Sequence, residues 1–360
     1  MNGKLIKKEI GFLLRNPLVY LGVLLMTVIV FWRVSPYWSF YDNLQEAGTE
    51  VMYSDGGDVI DGYIPTSKEE IYRTALEKLQ KYLVTDYNWT NEEAKSEIEK
   101  VKKWSIPEIA TYFKEEHGIA GVRSTFAERT YHSATKEEMD DYLQDTFGKN
   151  GNKTYTKEVS YKYADYLGIS SILFAALIFV LLLYRDMKKD IYALIHAKPL
   201  SAMKFLGGKF AAGISVVFGA TIPLTLMMNL LTIKAGTAYG LSVRFTDFWL
   251  TILMFHIPSI LATGSLMILI SLLFCNTVPA IPAILLYYLY CNMGSYDSTL
   301  GILYGYHYRA KSLSLFTRFP SAFGLNEFPE NGIINLCFLI LLTLFALIGS
   351  IKLWERRRSV

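Results

Sequence analysis

Six cations, Arg185, Lys188, Lys189, Lys198, Lys204 and Lys209, punctuate the stretch from Tyr184 to Phe210. They surround a small apolar core (Ile191, Leu194, Ile195) and a Pro199-Leu200-Ser201 turn, a composition suited to holding another surface rather than to bond-making chemistry. A connection that only returned the chain to a bilayer would need neither this length nor a helix of its own, so the stretch reads as a docking element.

The other reactive residue types do not assemble into a catalyst. Gly208-Lys209 is followed by Phe210, so the basic segment lacks the GxxxxGK[ST] phosphate cradle. There is no HExxH, and His117, His132, His196, His256 and His307 show no ligand spacing. Glu137-Glu138 and Asp140-Asp141 follow a helix cap and read as a solvated face. His256 falls inside an apolar run near Pro258, where an imidazole can serve function or, kept neutral, simply bond to a neighbouring helix. Asn229 and Asn292 read as interhelical hydrogen-bonding groups. No catalytic residue, metal ligand or cofactor is expected in this chain, and no nucleic-acid partner.

The elements that must position these groups are apolar. The chain of 360 residues is 52% hydrophobic and 14% aromatic, and its apolar residues come in long uncharged runs. About 20 apolar residues cross a bilayer as a helix. Phe210–Ile233, Phe248–Phe274 and Ile333–Ile351 qualify, as does Tyr166–Tyr184. Pro17–Trp32 is slightly short, with Arg33 able to snorkel, and Val278–Met293 completes six predicted spans. Phe248 to Tyr296 carries no charge, so its division rests on Cys275-Asn276-Thr277 and on Pro279 and Pro282. The first run lacks a small-residue cleavage pattern at Trp32-Arg33-Val34-Ser35-Pro36 and is expected to remain as an anchor.

Charge sets the expected orientation. Val34 to Tyr163 holds 24 acidic against 16 basic residues, a net of −8, whereas the rest of the chain holds 20 basic against 9 acidic, a net of +11. Cations near span ends mark the cytosolic side. Lys4, Lys7, Lys8 and Arg15 precede the first span, the basic stretch follows the second, and Lys352, Arg356, Arg357 and Arg358 close the last. Both termini are therefore expected to be cytoplasmic, in the cell membrane, with residues 34–163 outside. Cys275, Cys291 and Cys337 all fall in or beside spans, leaving no disulfide for the outer domain.

Residues 4–16 alternate apolar and basic side chains, consistent with a helix lying at the inner interface or with an extension of the first span. In the outer domain, Ser67 with Glu70, Thr90 with Glu93 and Thr135 with Glu138 have capping-box spacing and predict three helices. A fourth is expected over Ile106–His117, and Thr154–Tyr163 as a strand or stalk. Residues 297–332, rich in Tyr and Phe, are expected to rest on the outer leaflet. Gly301 and Gly305 make a GxxxG there. The spans carry no interior carboxylate, with Asp165 and Asp247 at their edges, so coupling to protons or sodium lacks its usual group.

In order of elements the chain resembles a permease subunit of the type-2 ABC exporters: an amphipathic N-terminal helix, one span, an extracytoplasmic part, a second span, a charged coupling helix and four more spans. The coupling segment of that family resembles Arg185-Asp186, Ala193-Leu194-Ile195, Pro199-Leu200-Ser201 and Gly208-Lys209. The chain departs from it at Asp190-Ile191, where the family often has Gly-Thr. The likeness covers the membrane portion and not the outer domain.

Together with the capping boxes read above, which predict that the extracytoplasmic domain between the first and second spans is helical, the resemblance implies a mainly α fold with six transmembrane helices. It divides the chain into 1–33, 34–163 and 164–360, with a coupling helix over 185–206 and outer re-entrant helices within 297–332. It implies ATPase contacts through Lys188, Lys189, Asp190, Ile191, Leu194, Lys198, Pro199, Leu200 and Ser201. The expected partners are an ABC ATPase dimer, which would hold the ATP, a second permease subunit and membrane lipid. The cargo would be amphipathic: a peptide, an antibiotic or a lipid-like molecule. The rival reading is a membrane receptor or immunity protein whose outer domain binds a ligand.

Overall fold

The computed structural model describes residues 3–46, 48–196, 201–296, 306–307 and 311–358. The first helix, α1 (Gly3–Leu13), is separated from α2 (Pro17–Val34) by a bend at Asn16. Asn16 Oδ1 accepts from Leu18 N at 3.0 Å, and Pro17 stands at the first helical position, where no donor is needed. Thus α1 is a helix in its own right and not an extension of the first span. A 3-10 turn (Ser35–Trp38) prolongs α2, and Trp38 Nε1 donates to Thr232 Oγ1 at 3.0 Å. The first span is therefore longer than its uninterrupted apolar run suggested.

The chain is mainly helical, and among the described residues five helices are long and apolar enough to cross a membrane, the make-up of a multi-pass membrane protein. They are Pro17–Trp38, Tyr155–Tyr184 (α8), Ala202–Ala238 (α10), Thr246–Leu273 and Gly332–Arg357. The fourth comprises α11 (Thr246–Thr251), a π-helical turn (Ile252–His256) and α12 (Ile257–Leu273). The fifth belongs to the last helix of the chain, Gly332–Arg358.

Where a sixth span was predicted, a shorter apolar helix, α13 (Ala280–Asn292), is found. Its 13 residues cover about 20 Å, against about 30 Å of hydrocarbon. The turn before it is built as the sequence suggested: Cys275 takes a positive φ of 47° and Asn276 Oδ1 accepts from Val278 N.

We number the last helix, Gly332–Arg358, α14. It runs parallel to α12: Phe255 and Phe328 lie 5.7 Å apart at one end, while Arg357 donates to Leu272 O and Leu273 O at the other. The chain between them must therefore return from one end of the bundle to the other. Helix α13 carries it part way and residues 311–331 complete the passage without a helix.

This irregular backbone is satisfied by side chains. Ser314 N donates to Asn335 Oδ1 at 2.8 Å, Leu315 N to Cys291 Sγ at 3.2 Å, Phe323 N to Asp58 Oδ1 at 3.1 Å and Asn326 N to Glu158 Oε1 at 3.2 Å. Of the segment 297–332, where re-entrant helices were expected, residues 297–305 and 308–310 lie outside the described residues; in the described part β5 (Tyr306–His307) pairs antiparallel with β4 (Ser295–Tyr296) and 311–331 hold no helix. Gly301 and Gly305 lie outside the described residues. Nor do Phe316, Phe319 and Phe323 turn to lipid. All three are buried, and Phe323 stacks on Tyr37 at 5.1 Å within a cage that includes Phe40, Phe147 and Tyr155.

The domain between α2 and α8 holds a three-stranded sheet in the order β1-β3-β2 (Tyr53–Ser54, Tyr131–Ser133, Tyr63–Pro65), with antiparallel pairing. Helices α3 (Lys68–Asp86), α4 (Asn91–Val101), α5 (Ile106–His117) and α6 (Val122–Ala127) enclose a separate apolar core that includes Leu79, Ile98 and Phe113. By contrast α7 (Lys136–Phe147) packs Met139, Leu143 and Phe147 onto the core of the bundle. Thr90 and Thr135 form full capping boxes with Glu93 and Glu138, as their spacing indicated, and Ser105 forms another with Glu108. At Ser67 only half of the motif forms, because Glu70 Oε1 accepts from Tyr53 instead.

Residues 155–163 are neither strand nor stalk but the first turns of α8. Their alternation has a double meaning, since Tyr155, Val159, Tyr163 and Leu167 also repeat every four residues, and all are fully buried on one helix face. Farther along, Phe179 enters a slot between α10 and α12 that exists because Gly213 and Gly264 lack side chains. A Cβ on either would come within 2.7 or 2.5 Å of the ring.

Candidate coupling site

At the end of the bundle opposite the inserted domain, α8 finishes at Tyr184 and the short helix α9 (Lys189–His196) leads towards α10. The turn between them is tight, with Asp186 N and Met187 N both donating to Leu183 O at 3.0 Å. It buries Asp186 at the foot of α8.

Burial of a carboxylate demands a partner, and Lys209 supplies it. The Lys209 side chain is wholly buried in α10; its Nζ contacts Asp186 Oδ2, lies 3.0 Å from Glu9 Oε1 and donates to Leu182 O at 3.3 Å. Arg185 completes the group at 3.2 Å from Asp186 Oδ1 and 3.8 Å from Glu9 Oε1, with its guanidinium 5.0 Å over the Phe12 ring. Three helices thereby share one ionic junction. The close seat of α1 on α10 depends on Gly208, where a Cβ would stand 2.7 Å from Leu5 Cδ2.

A second contact ties α9 to the end of α14. Trp354, 1% exposed, has Tyr192 at 5.9 Å in an edge-on arrangement and Phe205 at 4.8 Å. With Ile191, Tyr192 and Ile195 half-buried and Leu194 at 60% exposure, α9 turns an apolar tip outward from a fixed seat. Among the predicted contact residues, Lys188 is exposed over Tyr184 and Ser201 caps α10 by accepting from Lys204 N. Lys189 and Asp190 lie in α9, and Lys198, Pro199 and Leu200 lie outside the described residues.

The sequence reading quoted Asp186 and Lys209 as part of the motif but missed their pairing, and it missed Glu9 altogether. One signal for Glu9 was available. It sits four residues from both Leu5 and Leu13, on the apolar stripe of α1, where a solvated acid has no place.

The opposite end has its own polar contacts. Arg318 donates through Nε and Nη2 to the two carboxylate oxygens of Asp165 and through Nη1 to Asn292 Oδ1, joining α8, α13 and the irregular segment. Asp58 accepts from Tyr37 Oη at 2.9 Å and faces Lys162 Nζ at 3.5 Å. Asp247 accepts from the hydroxyls of Thr154, at 3.0 Å, and Thr156, at 2.5 Å, and Asn229 donates to Phe245 O at 2.8 Å. His256, buried in the π-helical turn, has Nδ1 3.4 Å from Ser171 Oγ and, among the described residues, no partner at Nε2. The carboxylates at this end thus serve contacts between segments. Compared with protein-family models, curated proteins and solved structures, the chain matches none.

Proposed function

We propose that this chain is the membrane-spanning subunit of an ATP-driven exporter of the type-2 ABC class. It crosses the membrane six times with both termini in the cytoplasm, the inserted domain outside and α13 forming the shortest crossing. A dimer of separate ATPase subunits docks on α9, a second permease subunit completes the path, and the cargo is amphipathic.

The observation that carries this reading is the mounting of α9. A short amphipathic helix between two long apolar ones projects Leu194 from an aromatic seat on Trp354 of α14, and the turn leading into it carries the ionic junction that joins α1, α8 and α10. A push on α9 is thereby delivered to four helices together. The cations flanking it favour the cytosolic side.

The test is to isolate the full chain from its host and assay ATP hydrolysis in the same complex, with Leu194→Asp as the comparison. Co-isolation of a vanadate-sensitive ATPase that Leu194→Asp releases supports the reading. A chain that brings no ATPase and functions without one removes it, leaving a receptor or immunity role for the inserted domain.

A further inference from the structure

Where the inserted domain meets the first turns of α8 there is a cleft of about 490 Å³. Lys149 and Lys153 reach it from the connection after α7, Lys157 from α8, and Arg244 from the connection between α10 and α11. Among the described residues none of these four cations forms a salt bridge; Lys153 donates to Gly324 O at 2.6 Å and Asn326 O at 3.4 Å.

The two carboxylates in the lining do not balance four cations. Glu158 is 2% exposed and occupied by the backbone N–H and side-chain amide of Asn326, and Glu327 stands exposed at the edge. Three of these cations and one of the acids belong to residues 34–163, whose net charge is −8, and Arg244 adds a fourth cation from outside that segment. A local reversal of sign in a concave site attracts anions.

Height in the bilayer narrows the ligand. Helix α8 has 30 residues and is about 45 Å long, some 15 Å more than the hydrocarbon layer. Its apolar part is the C-terminal one, Leu167 to Tyr184, so the cleft stands outside the hydrocarbon, with Tyr161 about 9 Å and Lys157 about 15 Å beyond Leu167, at and just past the level of the lipid headgroups. Tyr161, stacked on Phe319 at 4.5 Å, and the partly exposed Phe328 give the cleft an apolar wall beside its cations.

We infer that this cleft binds a phosphate-bearing anion through Lys149, Lys157 and Arg244, with Lys153 fixing the wall behind them. The same chemistry is offered by an anionic phospholipid headgroup and by free phosphate. Full chain in detergent, titrated with short-chain phosphatidylglycerol, short-chain phosphatidylcholine and inorganic phosphate, is to be compared with the triple variant Lys149→Gln, Lys157→Gln, Arg244→Gln and with Lys157→Gln alone. Saturable binding of phosphatidylglycerol, weakened at least about tenfold in the triple variant, is expected, tenfold being the weight of one charge-assisted hydrogen bond. Binding of inorganic phosphate as well assigns the site to the phosphate group alone, and binding of the lipid only assigns it to the headgroup. Should the triple variant not fold, the single one must bind about threefold more weakly. Absence of saturable anion binding, equal affinity for phosphatidylcholine, or unchanged affinity in a folded variant overturns the inference.

Discussion

Lys209 Nζ stands 3.0 Å from Glu9 Oε1, an ion pair in which the lysine side chain is wholly buried and which joins the first helix of the chain to α10. Asp186 shares the same lysine, so the pair is one side of a junction that also fixes the foot of α8.

Lys209→Met should destabilise the protein by about 3–5 kcal/mol, because it removes the buried cation that two buried carboxylates share and leaves Arg185 alone to serve both. Adding Glu9→Leu should restore most of the loss, since Asp186 keeps Arg185 at 3.2 Å and no longer shares it with a second buried carboxylate. Thermal unfolding of the single and double variants in detergent checks this. Additive losses would show that the pair is not coupled.

Gly264→Ala should cost about 1–3 kcal/mol by driving a methyl into Phe179, whose ring would lie 2.5 Å from the new Cβ. Phe179→Leu in the same chain should recover part of that loss, while on its own it should destabilise. The comparison of three melting temperatures distinguishes this slot from a general intolerance of α12 to substitution.

Asp165→Asn should loosen the irregular segment rather than the helices. Arg318 then loses its charged, bidentate partner, an interaction of about 1.5–3 kcal/mol, and amides around Leu315 and Phe319 should exchange on the order of tenfold faster or more. Arg318→Lys should have a similar effect although it keeps the charge, because a lysine cannot span both carboxylate oxygens.

The inserted domain should hold its stability from neutral pH down to about 5 and lose it under more acid conditions. Glu93, Glu108 and Glu138 accept from the backbone N–H groups of Thr90, Ser105 and Thr135, and from their hydroxyls, which holds each carboxyl below its ordinary 4.5. A depressed value in the folded state gives stability that is present above the unfolded value and lost as pH falls through the folded one. Amide protection of α4, α5 and α7, corrected for intrinsic rates, measures it, and a gain of protection between pH 5 and 4 would contradict it. Thr135→Ala should cost about 1 kcal/mol at neutral pH.

What the sequence made legible was local. Thr90–Glu93 and Thr135–Glu138 are decided within four residues, and the bounds of α5 follow from Pro107 near its start and Gly118 at its end. The docking segment could be located from its charge but not its seat, because Trp354 and Lys209 come from distant parts of the chain. Strands of two or three residues carry too few side chains to reveal a period of two. The start of α8 went unseen because residues repeating every four satisfy both periods, and burial rather than pattern decides between them.

A helix brings its hydrogen bonds with it wherever it moves, and residues 311–331 do not. Their amides at 314, 315, 323 and 326 are answered by Asn335, Cys291, Asp58 and Glu158, side chains anchored in separate parts of the molecule. A small slide of this segment would strand several buried donors together and gain nothing in exchange. Its motion should therefore be all-or-none: fully seated or fully released, with no partly displaced state to occupy for long.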